Sequence, residues 1–136
     1  MSKDNAIYQD MIRFAVRSKR HLIVSCEDKN LTPVQGVVLL LLEPEKSRSM
    51  NALADEMGCD ASNITGLIDR LEAHELIKRS SCDKDRRIKL LSLTSKGRQC
   101  RKDILVNIEE QQTLDFSKLT ADETKELTRL IQKVLV

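Results

Sequence analysis

Ile7, Met11, Phe14, Ala15 and Leu22 recur at helical spacing with Lys, Arg and Asp between them, which predicts an amphipathic helix running to about Cys26. Asp28 and Asn30 mark its end. Thr32-Pro33-Val34-Gln35 is a helix start: a hydroxyl N-cap, Pro at the first helical position and Gln at N3 to close a capping box. The apolar run Val37 to Leu42 alone would fit a strand, but the cap before it and Pro44 after it favour a short, buried helix. Ser49 caps a third helix, Met50 to Met57, whose inward face is Met50, Leu53, Ala54 and Met57, and Gly58 supplies a left-handed stop.

Asp60 is the N-cap of a helix of about four turns ending near His74. Two helices joined by a short turn containing Gly form a helix-turn-helix. Leu76 to Ser81 and Ile88 to Thr94 then read as two strands around a charged loop, with Ile77, Ile88, Leu90 and Leu91 as apolar contributors. The order helix, turn, helix, hairpin is that of a winged helix-turn-helix. Thr94 caps a long polar helix from Ser95 to about Asp115 with Ile104, Leu105 and Ile108 as a sparse stripe. The capping box Thr120-Ala121-Asp122-Glu123 opens a last helix with Leu127, Leu130, Ile131 and Val134 on one face.

The chain of 136 residues fits one domain, and 4 Gly and 2 Pro leave room for long regular elements. The fold class is mainly α with a small β-hairpin wing. A winged core of about 60 residues has its own interior. The flanking helices either fold back on the same chain or pack against a second copy, and we take the second. The reading is a single domain over 1–136, with a DNA-binding lobe at 31–98 and dimerisation helices at 1–30 and 99–136.

Net charge is only +2, but it is unevenly placed. Between Lys78 and Lys102 ten Lys and Arg face two Asp, a local charge of +8 that leaves −6 for the rest of the chain. That asymmetry points to an anionic partner. Tyr8, Phe14 and Phe116 are the only aromatics, too few for a platform that stacks single-stranded bases. Cys26, Cys59, Cys82 and Cys100 show neither CxxC nor CxxH spacing, so no metal, cofactor or disulfide framework is expected. The amino-terminal residues lack a signal-peptide pattern and the longest apolar run is six residues, so a cytoplasmic location without membrane contact is expected.

Counting 100° per residue from Ser62, the residues Leu67, Leu71, Ile64 and Ile68 fall at about 140°, 180°, 200° and 240°, an inward face. Ser62, Asn63, Thr65, Gly66 and Arg70 lie on the other side with Asp69. Ser, Thr and Asn can bond base edges or phosphates, and Gly66 lowers helix propensity by about 1 kcal/mol while removing a side chain where a groove wall must approach.

The run Asp60-Ala61-Ser62-Asn63-Ile64-Thr65-Gly66-Leu67-Ile68-Asp69-Arg70-Leu71-Glu72, the wing pattern Asp83-Lys84-Asp85-Arg86-Arg87 and the following Leu93-Thr94-Ser95-Lys96-Gly97 resemble the multiple-antibiotic-resistance regulator (MarR) family over about half the chain. The resemblance implies a homodimeric repressor or activator on a pseudo-palindromic double-stranded DNA operator. Recognition helix 60–74 would enter the major groove and wing 82–88 the minor groove. It also implies release by a small aromatic or phenolic anion held between the dimerisation helices and the winged lobe, or by oxidation of a cysteine. Where the family often has Gly after the recognition helix, this chain has His74-Glu75, so a left-handed stop there carries about 1 kcal/mol of strain or the turn is built differently.

Physical reasoning supports the wing independently. A narrow A·T-rich minor groove concentrates negative potential, and Arg86 or Arg87 on a hairpin tip can enter it. Asp85 is out of place beside phosphates unless it pairs with Arg87. Lys84, Lys89, Lys78 and Arg79 are assigned phosphate contacts, which give affinity and salt dependence without sequence information. Cys59, at the positive end of the recognition helix, and Cys82, at the wing, are the candidate thiols for redox control, with buried packing the alternative, and the favoured reading, for Cys59. With so few aromatics an effector pocket would be lined by Met and Leu with an Arg or Lys. His21 and His74 lack ligand-spaced partners and read as surface or packing residues. A winged-helix module that binds another protein is the competing class. No motif supports an enzyme, since HExxH, GxSxG, P-loop and dinucleotide fingerprints are all missing from the sequence.

Overall fold

The computed structural model describes residues 3–111 and 114–136. Helix α1 spans Lys3–Glu27, α2 Pro33–Leu41, α3 Met50–Met57, α4 Ala61–Ala73, α5 Ser95–Glu110 and α6 Ala121–Leu135. Strands β1, β2 and β3 are Arg48–Ser49, Ile77–Ser81 and Lys89–Leu93. A 3-10 turn at Phe116–Lys118 precedes α6. The winged helix-turn-helix is thus α2, α3, α4 and the β2–β3 hairpin, with α1 before it and α5 and α6 after it.

The expected caps make the expected bonds. Thr32 Oγ1 accepts from the Gln35 N–H at 3.2 Å while Gln35 Oε1 accepts from the Thr32 N–H at 2.9 Å. Thr120 and Glu123 repeat this box at 3.2 and 2.9 Å. Ser49, Asp60 and Thr94 accept from Ala52, Asn63 and Gly97 at 3.1, 2.9 and 2.9 Å.

Three helices end in the same way. Asn30, Gly58 and Glu75 take φ of 55°, 64° and 62°. In each the next amide donates back to the carbonyl five residues earlier, Leu31 to Cys26, Cys59 to Ala54 and Leu76 to Leu71, at 3.0–3.1 Å. This is the Schellman stop, which satisfies carbonyls the helix would leave unpaired. Glu75 therefore does what Gly does at Gly58, with a Cβ in the left-handed region.

The sheet has the order β1-β3-β2, all antiparallel, with Arg48 opposite Leu91 and Ile77 opposite Leu93. The two-residue β1 is too short to leave a periodic signal in the sequence. The core gathers Val38, Leu39, Leu42, Leu53, Ile64, Ile68, Leu71, Ile77, Leu91 and Ile104 beneath these elements. Gly97 is set by packing: a Cβ there would lie 2.0 Å from the Leu76 carbonyl oxygen, so α5 can cross the end of the recognition helix only without a side chain.

Several boundaries differ from the sequence reading, the strands Ile77–Ser81 and Lys89–Leu93 each being shorter than expected. The last strand begins at Lys89 rather than Ile88, whose carbonyl instead closes the wing loop by accepting from Cys82 N–H at 3.0 Å. Helix α5 ends at Glu110; the expected extension to about Asp115 runs through 112–113, outside the described residues, and Asp115 itself caps the 3-10 turn. No helix among the described residues is long and apolar enough to cross a membrane.

Candidate nucleic-acid interface

Helix α4 is amphipathic as its angles require. Ile64, Ile68 and Leu71 are buried and Leu67 is half-buried against the same core, while Ser62, Asn63, Thr65, Gly66 and Arg70 are all exposed. The Asp60 carboxylate accepts from the Asn63 amide and from Ser62 Oγ, both at 2.9 Å, and these bonds, the amide first, hold its carboxyl below the usual range. Thr65 Oγ1 donates to the Ala61 carbonyl at 2.7 Å. Both hydroxyl protons are thus spent within the helix, which leaves Ser62 and Thr65 as acceptors toward an incoming group. The side chains of Asn63 and Arg70 meet no partner among the described residues and keep their full donor sets. A Cβ built on Gly66 would touch nothing within 4 Å, so the protein itself places no demand for glycine there.

On the wing, Lys84, Arg86, Arg87 and Lys89 are exposed and Asp85 is half-buried. Asp85 takes Arg87 in a two-point pair, as the sequence suggested, with Nε and Nη2 at 3.1 and 3.2 Å from its two oxygens. The charged groups with no ion-pair partner among the described residues, Lys84, Arg86, Lys89 and, on β2, Lys78, extend the positive surface along the hairpin.

Arg79, assigned to a phosphate on sequence grounds, is paired within the protein. Its Nε and Nη2 donate to Glu72 at 3.3 and 3.2 Å, and Nη2 also pairs with Asp69. These carboxylates, Glu72 before Asp69, raise its pKa further above its already high value. A guanidinium already shared by two carboxylates has little charge left for a phosphate. Its geometry instead ties β2 to the recognition helix. Sequence reasoning misses Asp69 and Glu72; their i,i+3 spacing on one helix face, seven to ten residues before an Arg on the adjoining strand, is the signal that could have found them.

Cys59 and Cys82 are both half-buried, and Cys59 Sγ donates to the Met57 carbonyl at 3.8 Å. His21 is buried and His74 is exposed. Beneath the winged lobe lies a cleft of about 1240 Å³ bounded by α1, α2, the end of α3, α5 and the Leu114–Ser117 stretch. Its apolar walls include Leu22, Leu40, Leu41 and Met57, as composition led us to expect, and Lys19 is the cation in its lining. Glu56, Glu109, Asp115 and Phe116 were not anticipated there.

A helix-turn-helix whose second helix exposes a small polar face, braced against a cationic hairpin, defines a DNA-binding transcription regulator of the winged-helix class. The model of the MarR family matches residues 31–89. The HTH-type transcriptional regulator MgrA of Staphylococcus aureus is 34% identical over 106 residues, covering 78% of this chain and 71% of that protein. The HTH-type transcriptional repressor MdtR of Bacillus subtilis is 31% identical over 113 residues, covering 83% and 73%. In three dimensions a MepR mutant from a multidrug-resistant S. aureus clinical isolate superposes with a TM-score of 0.81 at 21% identity, over 94% of each chain. The chain belongs to the MarR family.

Proposed function

We propose that the chain acts as a homodimeric repressor on a pseudo-palindromic operator. Ser62, Asn63, Thr65, Gly66 and Arg70 would meet the major groove, Arg86 and Arg87 the minor groove, and Lys78, Lys84 and Lys89 the phosphates. The observation that carries this is the Arg79 bridge: Asp69 and Glu72 on the recognition helix and Arg79 on the wing strand tie the two elements proposed to face DNA to one another. No catalytic step is assigned to the chain.

The lobe 31–98 carries the DNA contacts and helices 1–30 and 99–136 the dimer contacts. In the single chain, every described residue of α1 up to Arg17 is exposed and α6 has no buried residue. Ile7, Met11 and Ile12 on α1 and Leu130, Ile131, Val134 and Leu135 on α6 face solvent. A lone 15-residue helix is marginal in water, and contiguous apolar faces of this kind are what a two-fold interface covers. Two copies would place the recognition helices on half-sites about 10 bp apart, centre to centre. Repression is the sense supported by the likeness to MdtR.

Release by a small molecule in the cleft beneath the lobe is favoured over thiol oxidation. Met57 and Cys59 form part of its lining and lead directly into the recognition helix. Cys59 is half-buried and directed at a carbonyl rather than at a second thiol. Cys82 is half-buried beside the wing loop, and its oxidation is the remaining redox route.

Selection of bound sites from random duplex, with sedimentation of the free protein and the complex, tests the reading. A palindrome bound by a dimer supports it. A strictly monomeric protein, or one without preference among recovered sequences, overturns it and leaves a protein-binding winged helix.

A further inference from the structure

We propose that the cleft beneath the winged lobe takes a lipophilic protonated amine, its apolar body along the helix walls and its ammonium N–H groups shared among Glu109, Asp115 and Nε2 of His21. The inference rests on the effector reading above and names the ligand class of that same site.

Shape and charge lead to this class. The volume of about 1240 Å³ exceeds the roughly 300–1,000 Å³ of an ordinary ligand site, and the walls are formed by Leu22, Val37, Leu40, Leu41 and Ile108 with Phe116 at one side. Among the charged lining groups, three carboxylates face one ammonium: Glu56, Glu109 and Asp115 against Lys19. Glu56 is already committed to Arg48. Asp115 accepts from the Ser117 hydroxyl and amide, which hold its carboxyl below the usual range and keep it ionised at neutral pH. Glu109 is exposed and makes no ion pair among the described residues, so the cleft carries surplus negative charge.

His21 supplies the second observation. It lines the cleft at 2% exposure, and its Nε2 is buried without a hydrogen-bond partner. Buried polar nitrogens are almost always paired, and this one lines the cleft with its hydrogen-bonding capacity unused by the protein. In the tautomer protonated at Nδ1, Nε2 is an acceptor. An ammonium N–H satisfies it, whereas an organic anion has no proton to offer and meets Glu109 and Asp115 at like sign. A quaternary ammonium satisfies the charge but not the nitrogen.

Calorimetric titration of the full chain with decylammonium, decyltrimethylammonium, decanoate and decanol tests the class. Decylammonium is expected to bind about tenfold more tightly than each of the others, the scale of a charge-assisted hydrogen bond. Glu109→Gln, on the exposed rim, and His21→Phe, which keeps the buried bulk, should each remove that preference. Glu109→Gln should leave thermal unfolding without ligand unchanged. Decanoate binding as tightly as the amine, or an amine preference intact in Glu109→Gln, overturns the amine assignment while the effector reading stands. Equal binding of decylammonium and its quaternary analogue overturns the part assigned to His21. Failure of all four probes to bind overturns the effector reading itself.

Discussion

Asp85 holds Arg87 at the tip of the wing through three bonds: Nε and the backbone N–H to Oδ1 at 3.1 and 3.0 Å, and Nη2 to Oδ2 at 3.2 Å. The Arg87 side chain nevertheless stays 92% exposed, so the pairing aims the guanidinium without burying it. Exposed pairs add little to stability, so the pair would act by pre-organising the proposed minor-groove contact. Arg87→Ala should weaken operator binding by about tenfold to a hundredfold, mainly at flanking A·T positions. Asp85→Asn should act in the same direction and less. Titration of the two variants against operators altered only in the flanks checks this, and unchanged affinity for Arg87→Ala would remove the wing from recognition.

The same pair sets a pH expectation. Arg87, through its side chain first and its amide second, holds the Asp85 carboxyl below the ordinary carboxylate range. A group whose folded pKa is depressed contributes fully above its unfolded pKa and loses that contribution as pH falls through the folded value. The pairing should therefore be constant from roughly pH 7 down to pH 5 and fail only in more acid solution. The Arg87 Nε–H resonance reports it directly; a midpoint between those two pH values would contradict the geometry.

Lys78 and Arg79 are neighbours on β2 with different expected effects on salt dependence. Lys78 is exposed without an ion-pair partner among the described residues, whereas Arg79 is shared by Glu72 and Asp69. Lys78→Ala should weaken binding to all duplexes alike and flatten the slope of log affinity against log salt by about one unit. Arg79→Ala should leave that slope nearly unchanged and lower affinity by loosening the wing from the recognition helix. A flattened slope in Arg79→Ala would restore it as a phosphate contact.

The fold and the proposed groove contact make different demands at Gly66. A Cβ at this position would have no neighbour within 4 Å, so Gly66→Ala should raise unfolding free energy by about 1 kcal/mol, the helix-propensity difference. The same methyl would stand where a groove wall approaches, so operator affinity should fall. Urea unfolding and operator titration on one preparation measure both. Gain in stability with unchanged affinity would make Gly66 an ordinary surface residue.

The legible parts of this fold are those written in local chemistry. Thr32, Ser49, Asp60, Thr94 and Thr120 each announce a helix start through a side-chain oxygen within three residues of the amide it serves, and each makes that bond. The face of α4 followed from angular spacing alone. What escaped depends on tertiary neighbours. Strand β1 consists of Arg48 and Ser49, too short for any period. The Arg79 assignment treated a cation as free because its carboxylates lie on another element, and the acidic lining of the cleft comes from residues as distant as Glu56 and Asp115.

Glu75 is a strained residue within an intact helix stop. Its φ is 62°, its amide donates to the Glu72 carbonyl at 2.9 Å, and Leu76 closes back on Leu71 at 3.0 Å. Neighbouring groups lock the turn: Thr94 Oγ1 donates to the Glu75 carbonyl at 2.6 Å and Lys96 Nζ to the His74 carbonyl at 3.0 Å. A left-handed non-glycine residue carries about 1–2 kcal/mol of strain, and glycine relieves it at some loss through a more flexible unfolded chain. Glu75→Gly should therefore stabilise the protein by about 1 kcal/mol. Because those hydrogen bonds come from Thr94, Lys96 and the backbone, the angle of the wing should not move and operator affinity should hold. Reduced stability would show that the Glu75 side chain contributes more than its strain removes, and altered affinity at higher stability would show that the strain itself positions the wing.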